Sequence, residues 1–216
     1  CRKSGTALEI SAFPNRLDLR DYLCQEAKKF GIKTGMLVQE GKMRIPSLIV
    51  LTPDPMKYRI MHHRLKSLLS EYSWDVTPKS IDEFVVHFES FHPLPALWDI
   101  ALEIKKRIQT EIGEWLTVSI GLAANEFLAK QAAIFEKPNG LHEINHLNHR
   151  TYYSQLKLVD LTGISFANER RLNAAGIYTP EGMFDASLRD LRKAFHGICG
   201  NYWYLRLRGY EIDHVE

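Results

Sequence analysis

Residues 80–88 read Ser80-Ile81-Asp82-Glu83-Phe84-Val85-Val86-His87-Phe88, two adjacent carboxylates running straight into a β-branched and aromatic run. Such a run predicts a strand over Phe84 to Phe88. On an extended strand, neighbouring side chains point to opposite faces, so Asp82 and Glu83 would part there. At a strand start or a hairpin turn both can converge on one point. A converging pair offers the oxygen ligands that hard Mg²⁺ takes, as a two-metal phosphoryl-transfer site requires. The competing reading is a solvated turn, and composition alone favours it.

Upstream, Ser47 to Leu51 (SLIVL) predicts a buried strand, and Asp54-Pro55 opens a helix with Asp as N-cap and Pro at the first helical position. The apolar face of that helix is Ile60, Met61, Leu65, Leu68, Leu69 and Tyr72. Downstream, Leu97, Ile100, Ala101, Ile104 and Ile108 stripe a second helix, and Leu116 to Leu122 (LTVSIGL) predicts a third strand. Asn125 then caps a third helix running to about Ile134, and Pro138-Asn139-Gly140 is a turn. Strand–helix–strand followed by helix–strand–helix predicts one small sheet with helices packed on it, an α/β (α+β) sandwich over about residues 50–150. From Tyr152 onward short helices with Gly hinges replace the strand signal, which places a domain boundary near 150.

The wider composition bounds the function classes. The 216 residues are 45% hydrophobic and 25% charged, which fits a globular chain with a real core and not a disordered one. No apolar run approaches the roughly 18 residues of a membrane-spanning helix. Cys1, Cys24 and Cys199 lie far apart without a CxxC pair, against a disulfide framework or zinc ribbon. A reducing, intracellular setting is expected, and a start at Cys1 instead of Met leads us to expect a piece of a longer protein. The formal net charge is +2. Residues 1–50 carry 9 Lys and Arg against 5 acids, and residues 151–216 carry 8 against 8. A nucleic-acid partner would therefore be held by placed contacts and not by bulk charge, weakly and with steep salt dependence.

Three further features invite chemistry. Lys137, in Glu136-Lys137-Pro138-Asn139-Gly140, sits on a rigid turn from which it could meet a triphosphate as a point charge; an ordinary surface Lys is the alternative. Leu161-Thr162-Gly163-Ile164-Ser165, followed by Glu169 to Gly176, reads as a tight helical hairpin that can present backbone N–H groups to a phosphate. His142, Glu143, His146 and His149 raise a zinc reading, which the lack of a nearby Cys disfavours. His62 and His63 are adjacent, diverge on a helix, and are expected to be exposed.

The order of these motifs is more specific than any one of them. Glu26-Ala27-Lys28-Lys29-Phe30-Gly31-Ile32-Lys33-Thr34-Gly35-Met36 precedes Ser80-Ile81-Asp82-Glu83. Ser119-Ile120-Gly121-Leu122-Ala123 with Asn125, Leu128-Ala129-Lys130, Lys137-Pro138-Asn139-Gly140 and the Gly163-Ile164 hairpin then follow. From about Glu26 to Tyr210 this series resembles the Y-family translesion DNA polymerases, in particular the polymerase IV-like branch. The resemblance implies fingers in 1–50 with the N-terminal palm strand missing, a palm in 51–150 and a helix-hairpin-helix thumb in 151–216. It implies template-directed DNA synthesis of the damage-bypass type by a two-metal mechanism, with two Mg²⁺ ions. Asp82 would match the metal-bridging Asp, Glu83 its partner carboxylate, Lys137 and Lys28 the triphosphate contacts, and Gly163, Ile164 and Ser165 the DNA-binding hairpin. Primer–template DNA and a deoxynucleoside triphosphate would be the partners, with a sliding clamp engaged through a C-terminal region beyond this sequence. The setting would be the cytoplasm in a prokaryote or the nucleus in a eukaryote.

The sequence departs from the family pattern at several points. No N-terminal strand carries the first metal carboxylate in its usual context, and Glu9 lacks that context. Gln25 and Lys28 stand where a Tyr and an Arg are frequent, and Asn125-Glu126 where the pair is Asn-Lys. Ser165 replaces the second Gly of the hairpin, where a positive φ would be poorly tolerated. The alternative is thus a catalytically silent Y-family relative acting as a DNA-binding accessory or scaffold in DNA repair.

Overall fold

A computed structural model describes residues 29–32, 36–50, 53–88, 94–114 and 116–212. The described residues fall into two compact units, drawn from Cys1–Phe91 with Glu103–Thr117 and from His92–Leu102 with Val118–Glu216. Position 150 therefore falls inside the second unit.

The first unit contains helix α1 (Val38–Arg44), helix α2 (Pro55–Leu69), strands β1 (Val76–Pro78) and β2 (Phe84–Val86), and the end of helix α3 (Leu94–Arg107) with the π-helical turn Ile108–Ile112. As expected, α2 starts where Asp54 accepts from Met56 N at 3.0 Å, with Pro55 just inside the helix. Only Leu68 and Leu69 of its predicted apolar face are buried, and Ile60 is 52% exposed. Of the buried strand predicted over Ser47 to Leu51, Leu51 lies outside the described residues. Leu48 is buried, but Ile49 carries only an isolated bridge and is 44% exposed.

β1 and β2 pair antiparallel, with Val76 opposite Val86, Thr77 opposite Val85 and Pro78 opposite Phe84. β1 escapes a reading by pattern because it is three residues long and ends in Pro, a residue that sheets accept at edges. Arg107 ties the end of α3 to the segment after α2. Its guanidinium meets Glu71 at 2.8 Å, grips Glu111 through Nε and Nη2, and donates to Tyr72 Oη at 3.2 Å. Arg107 also holds the Glu111 carboxyl below its ordinary pKa.

The second unit is built on a strand–helix–strand element: β3 (Ile120–Ala123), α4 (Glu126–Phe135) and β4 (Leu141–Ile144). β3 and β4 run parallel, Ile120 opposite Leu141 through Ala123 opposite Ile144. The one sheet expected over 50–150 is thus, among the described residues, two two-stranded sheets, because each predicted strand is shorter than its apolar run and pairs with a near neighbour in sequence. Gly121 has a steric role: a Cβ there would collide with the Ala129 carbonyl oxygen and Ala133 N of α4. The missing side chain lets the helix lie directly on the strand.

Five short helices follow, α5 (His149–Ser154), α6 (Phe166–Ala174), α7 (Pro180–Asp185), α8 (Leu188–Ala194) and α9 (Cys199–Arg206). Two of them start at side-chain caps: Thr179 Oγ1 accepts from Gly182 N at 3.0 Å and Ser187 Oγ from Asp190 N at 3.1 Å. These helices share one core with α4 and β4. Phe127 packs edge-on against Trp203 at 5.4 Å between ring centroids, and Ile144, Tyr153, Leu161, Leu172, Met183 and Leu191 lie in the same cluster.

Two polar devices are buried in it. Asn125, 5% exposed, accepts from Leu128 N at 2.8 Å and donates to the carbonyls of Arg206 at 2.8 Å and Tyr210 at 2.9 Å. Tyr153 donates its hydroxyl proton to the Leu207 carbonyl at 2.8 Å, and Tyr152 donates to Gln131 O at 3.1 Å.

Replacing Asn125 by Ala removes a helix cap and leaves two carbonyls without their donor, and should lower stability in urea unfolding by about 3 kcal/mol. Asn125→Asp keeps the cap acceptor but turns an oxygen on both carbonyls, so it should recover little; full stability in either variant would refute this account. A second outcome concerns alkali. Burial pushes the Tyr152 hydroxyl up to about 12, with Asp160 adding to it, and burial raises Tyr153 as well. Unfolded tyrosine loses its proton near pH 10, so from about pH 10 to 12 the folded chain holds more protons and stability falls as pH rises. Circular dichroism during an alkaline titration should show that loss within the window and none just below it, with a shallower fall in Tyr153→Phe.

Candidate functional site

The hairpin that β1 and β2 form closes through Lys79–Glu83, so the two carboxylates sit on a turn and not within a strand. Lys79 N donates to Glu83 O at 2.9 Å and Ser80 N to the same oxygen at 3.3 Å, which closes the loop backbone. Ser80 Oγ donates to Asp82 Oδ1 at 2.7 Å and fixes that carboxylate. Asp82 and Glu83 are both exposed. Their oxygen donors suit a hard divalent cation in kind. Among the described residues, no three His, Cys, Asp or Glu side chains come together as a metal-holding group. That applies equally to His142, Glu143, His146 and His149. Glu143 instead accepts from Trp98 Nε1 at 2.9 Å and from Asn145 Nδ2, and His142 faces Glu136 at 3.4 Å.

His62 is the residue that sequence reasoning set aside. It lies on α2 with Leu65 and Leu69 on one helical face, and that spacing was the available signal. Its Nδ1 is 3.0 Å from the Ile81 carbonyl oxygen, and its ring stacks on Phe84 with centroids 4.8 Å apart. His63 is exposed, as expected.

Lys137 belongs to the second unit, on the turn between α4 and β4, and is exposed. Asn139 takes φ 61°, a left-handed value Asn tolerates. Gly140 N donates to Ser119 Oγ at 3.2 Å and Ile120 N to Gly140 O at 3.1 Å, so the turn is fastened to the start of β3. Lys28, with Gln25 and Glu9, lies outside the described residues.

The third feature runs from the 3₁₀ turn Leu158–Asp160 through Leu161–Ser165 into α6. Leu161 and Ile164 are buried and anchor it, while Gly163 and Ser165 are exposed. Gly163 has φ 95° and needs to be Gly. Ser165 has φ −86° and ψ 167° as the N-cap of α6, and its carbonyl accepts from Glu169 N at 2.9 Å. The expectation that Ser165 stands at a position demanding positive φ is corrected: the left-handed step falls at Gly163, and an extended N-cap suits Ser. A second turn, missed in the sequence, follows α8, where His196 has φ 55° and Gly197 φ 142°.

A family model described as the impB/mucB/samB family matches residues 22–133. A DNA polymerase IV of Clostridium perfringens (strain 13 / Type A) is 32% identical over 188 residues, covering 87% of this chain and 52% of that protein. Among solved structures, the insertion ternary complex of Dbh DNA polymerase superposes with a TM-score of 0.76 at 26% identity, over 94% of this chain and 61% of that one. DinB from Sulfolobus solfataricus superposes with a TM-score of 0.72 at 26% identity, over 89% and 55%. The chain thus spans about half the length of the curated relatives it matches. A mixed α/β fold of this topology, with a family match over more than half the chain, means that the chain belongs to the impB/mucB/samB family, in the DinB or DNA polymerase IV-like branch of the Y-family DNA polymerases.

Proposed function

We propose that this sequence carries the catalytic core of a translesion DNA polymerase, with template-directed nucleotidyl transfer at the Asp82–Glu83 turn. The observation that supports it best is the exposed carboxylate pair on a closed hairpin loop, in a chain of this family. In this reading residues 1–50 are fingers, 51–150 palm and 151–216 a helix-hairpin-helix thumb. Asp82 and Glu83 would hold two Mg²⁺ ions, which when bound supply positive charge to the attacking and leaving oxygens. Ser80 orients Asp82 for that task. Lys137 presents an ammonium from a turn fastened to β3, suited to a deoxynucleoside triphosphate, and Lys28 is its proposed companion. Gly163 and Ser165, exposed on either side of buried Ile164 whose N–H donates to the Leu161 carbonyl at 2.9 Å, would offer backbone amides to a phosphate of primer–template DNA, which suits the absence of excess positive charge in 151–216. A sliding clamp is a further proposed partner of the whole protein.

Primer extension with Mg²⁺ tests this reading in the natural protein that carries the sequence. Asp82→Ala should slow single-turnover incorporation by about a thousandfold or more. Lys137→Ala should raise KM for the triphosphate by about tenfold. The competing reading, a silent DNA-binding relative, predicts DNA binding without extension, and an Asp82→Ala protein as active as the wild type would end the proposal.

A further inference from the structure

We infer that His62 is a positioning residue for the Asp82–Glu83 turn, holding it in the geometry that binds the divalent metal; this rests on the function proposed above. The Ile81 carbonyl can only accept, so the proton of this hydrogen bond resides on His62 Nδ1. The same ring stacks on Phe84 at 27° between planes. One imidazole therefore grips the chain immediately before and immediately after the carboxylate pair. Within the loop, short-range hydrogen bonds between Lys79, Ser80, Asp82 and Glu83 close the turn.

His62 connects that turn to a fixed support. α2 is anchored by buried Leu68 and Leu69, and Arg64, two residues beyond His62, donates to the Glu111 carbonyl at 2.5 Å. The support reaches the hairpin backbone through a hydrogen bond and a ring face, and neither contact uses a carboxylate oxygen. The backbone on either side of the pair is thereby held by contacts that do not involve its side chains. Outer partners that orient metal-binding groups commonly matter by one to two orders of magnitude in affinity, although they touch no metal.

The test uses the natural protein, with Mn²⁺ alone as probe, free Mn²⁺ being read by electron paramagnetic resonance. His62→Phe keeps a ring on Phe84 and deletes the donor; His62→Asn returns an N–H at similar reach. We expect His62→Phe to weaken Mn²⁺ binding by about tenfold and His62→Asn to recover to within about threefold of wild type. The thermal midpoint should move little in either. Wild-type Mn²⁺ affinity in His62→Phe would overturn the inference, as would equal losses in both variants accompanied by a lower thermal midpoint. Asp82→Asn separates the two claims. If it abolishes Mn²⁺ binding while His62→Phe does nothing, the function stands and the positioning role falls. If Asp82→Asn leaves Mn²⁺ binding intact, the turn is no metal site and both fall.

Discussion

The second unit depends on how one buried amide satisfies its own hydrogen-bonding capacity. Asn125 sits at the junction between β3 and α4, accepting from the first turn of the helix while its two N–H groups reach carbonyls 81 and 85 residues later. A buried amide without partners is costly, so its environment must supply both an acceptor pair and a donor. Only a turn that begins a helix beside the end of another segment does so. Tyr153 makes the reciprocal statement from α5, with its hydroxyl on the Leu207 carbonyl. The segment closing α9 is therefore stitched to the strand–helix–strand element by side chains that are polar and directional, inside a core that is otherwise apolar.

The candidate sites follow a shared economy of construction. Asp82, Lys137 and Gly163 are exposed, while a neighbour of each in the chain is buried or hydrogen-bonded. Asp82 has Ser80 beside it, Lys137 has the Gly140–Ser119 fastening, and Gly163 has Leu161 and Ile164 beneath it. Rigid support under a solvated group leaves that group's capacity for a ligand intact, whereas burial of the group itself would consume it.

Reading from the sequence succeeded where the signal is local. The Asp54 and Asn125 caps each depend on a few consecutive residues, and both appear where expected. The carboxylate pair on a turn, the glycine hairpin and the Lys137 turn were legible for the same reason. What failed needed knowledge of a partner. Ile49 has the residue type of a core strand yet is 44% exposed, and Ile60 lies on the predicted apolar face of α2 yet is 52% exposed. β1 is invisible because Val76-Thr77-Pro78 is a strand only by virtue of β2. Ser165 was misjudged by assigning the positive φ to the wrong residue of the turn that leads into α6. His62 was set aside because adjacent histidines diverge, which is true of the pair and silent about where either one lands.

The path of the chain through its two units has a consequence for how the protein comes into being. The sequence enters the second unit at His92, returns to the first at Glu103 and leaves it again at Val118. During synthesis from the N-terminus, Glu71 and Tyr72 are made well before Arg107, the cation that joins them. The first unit cannot complete this cluster until the stretch through Glu111 has left the ribosome, by which time α3 has already contributed residues to the other unit. No single break in the gene separates the two units, so they are inherited together, and shuffling either one alone into another protein would leave both with a piece missing.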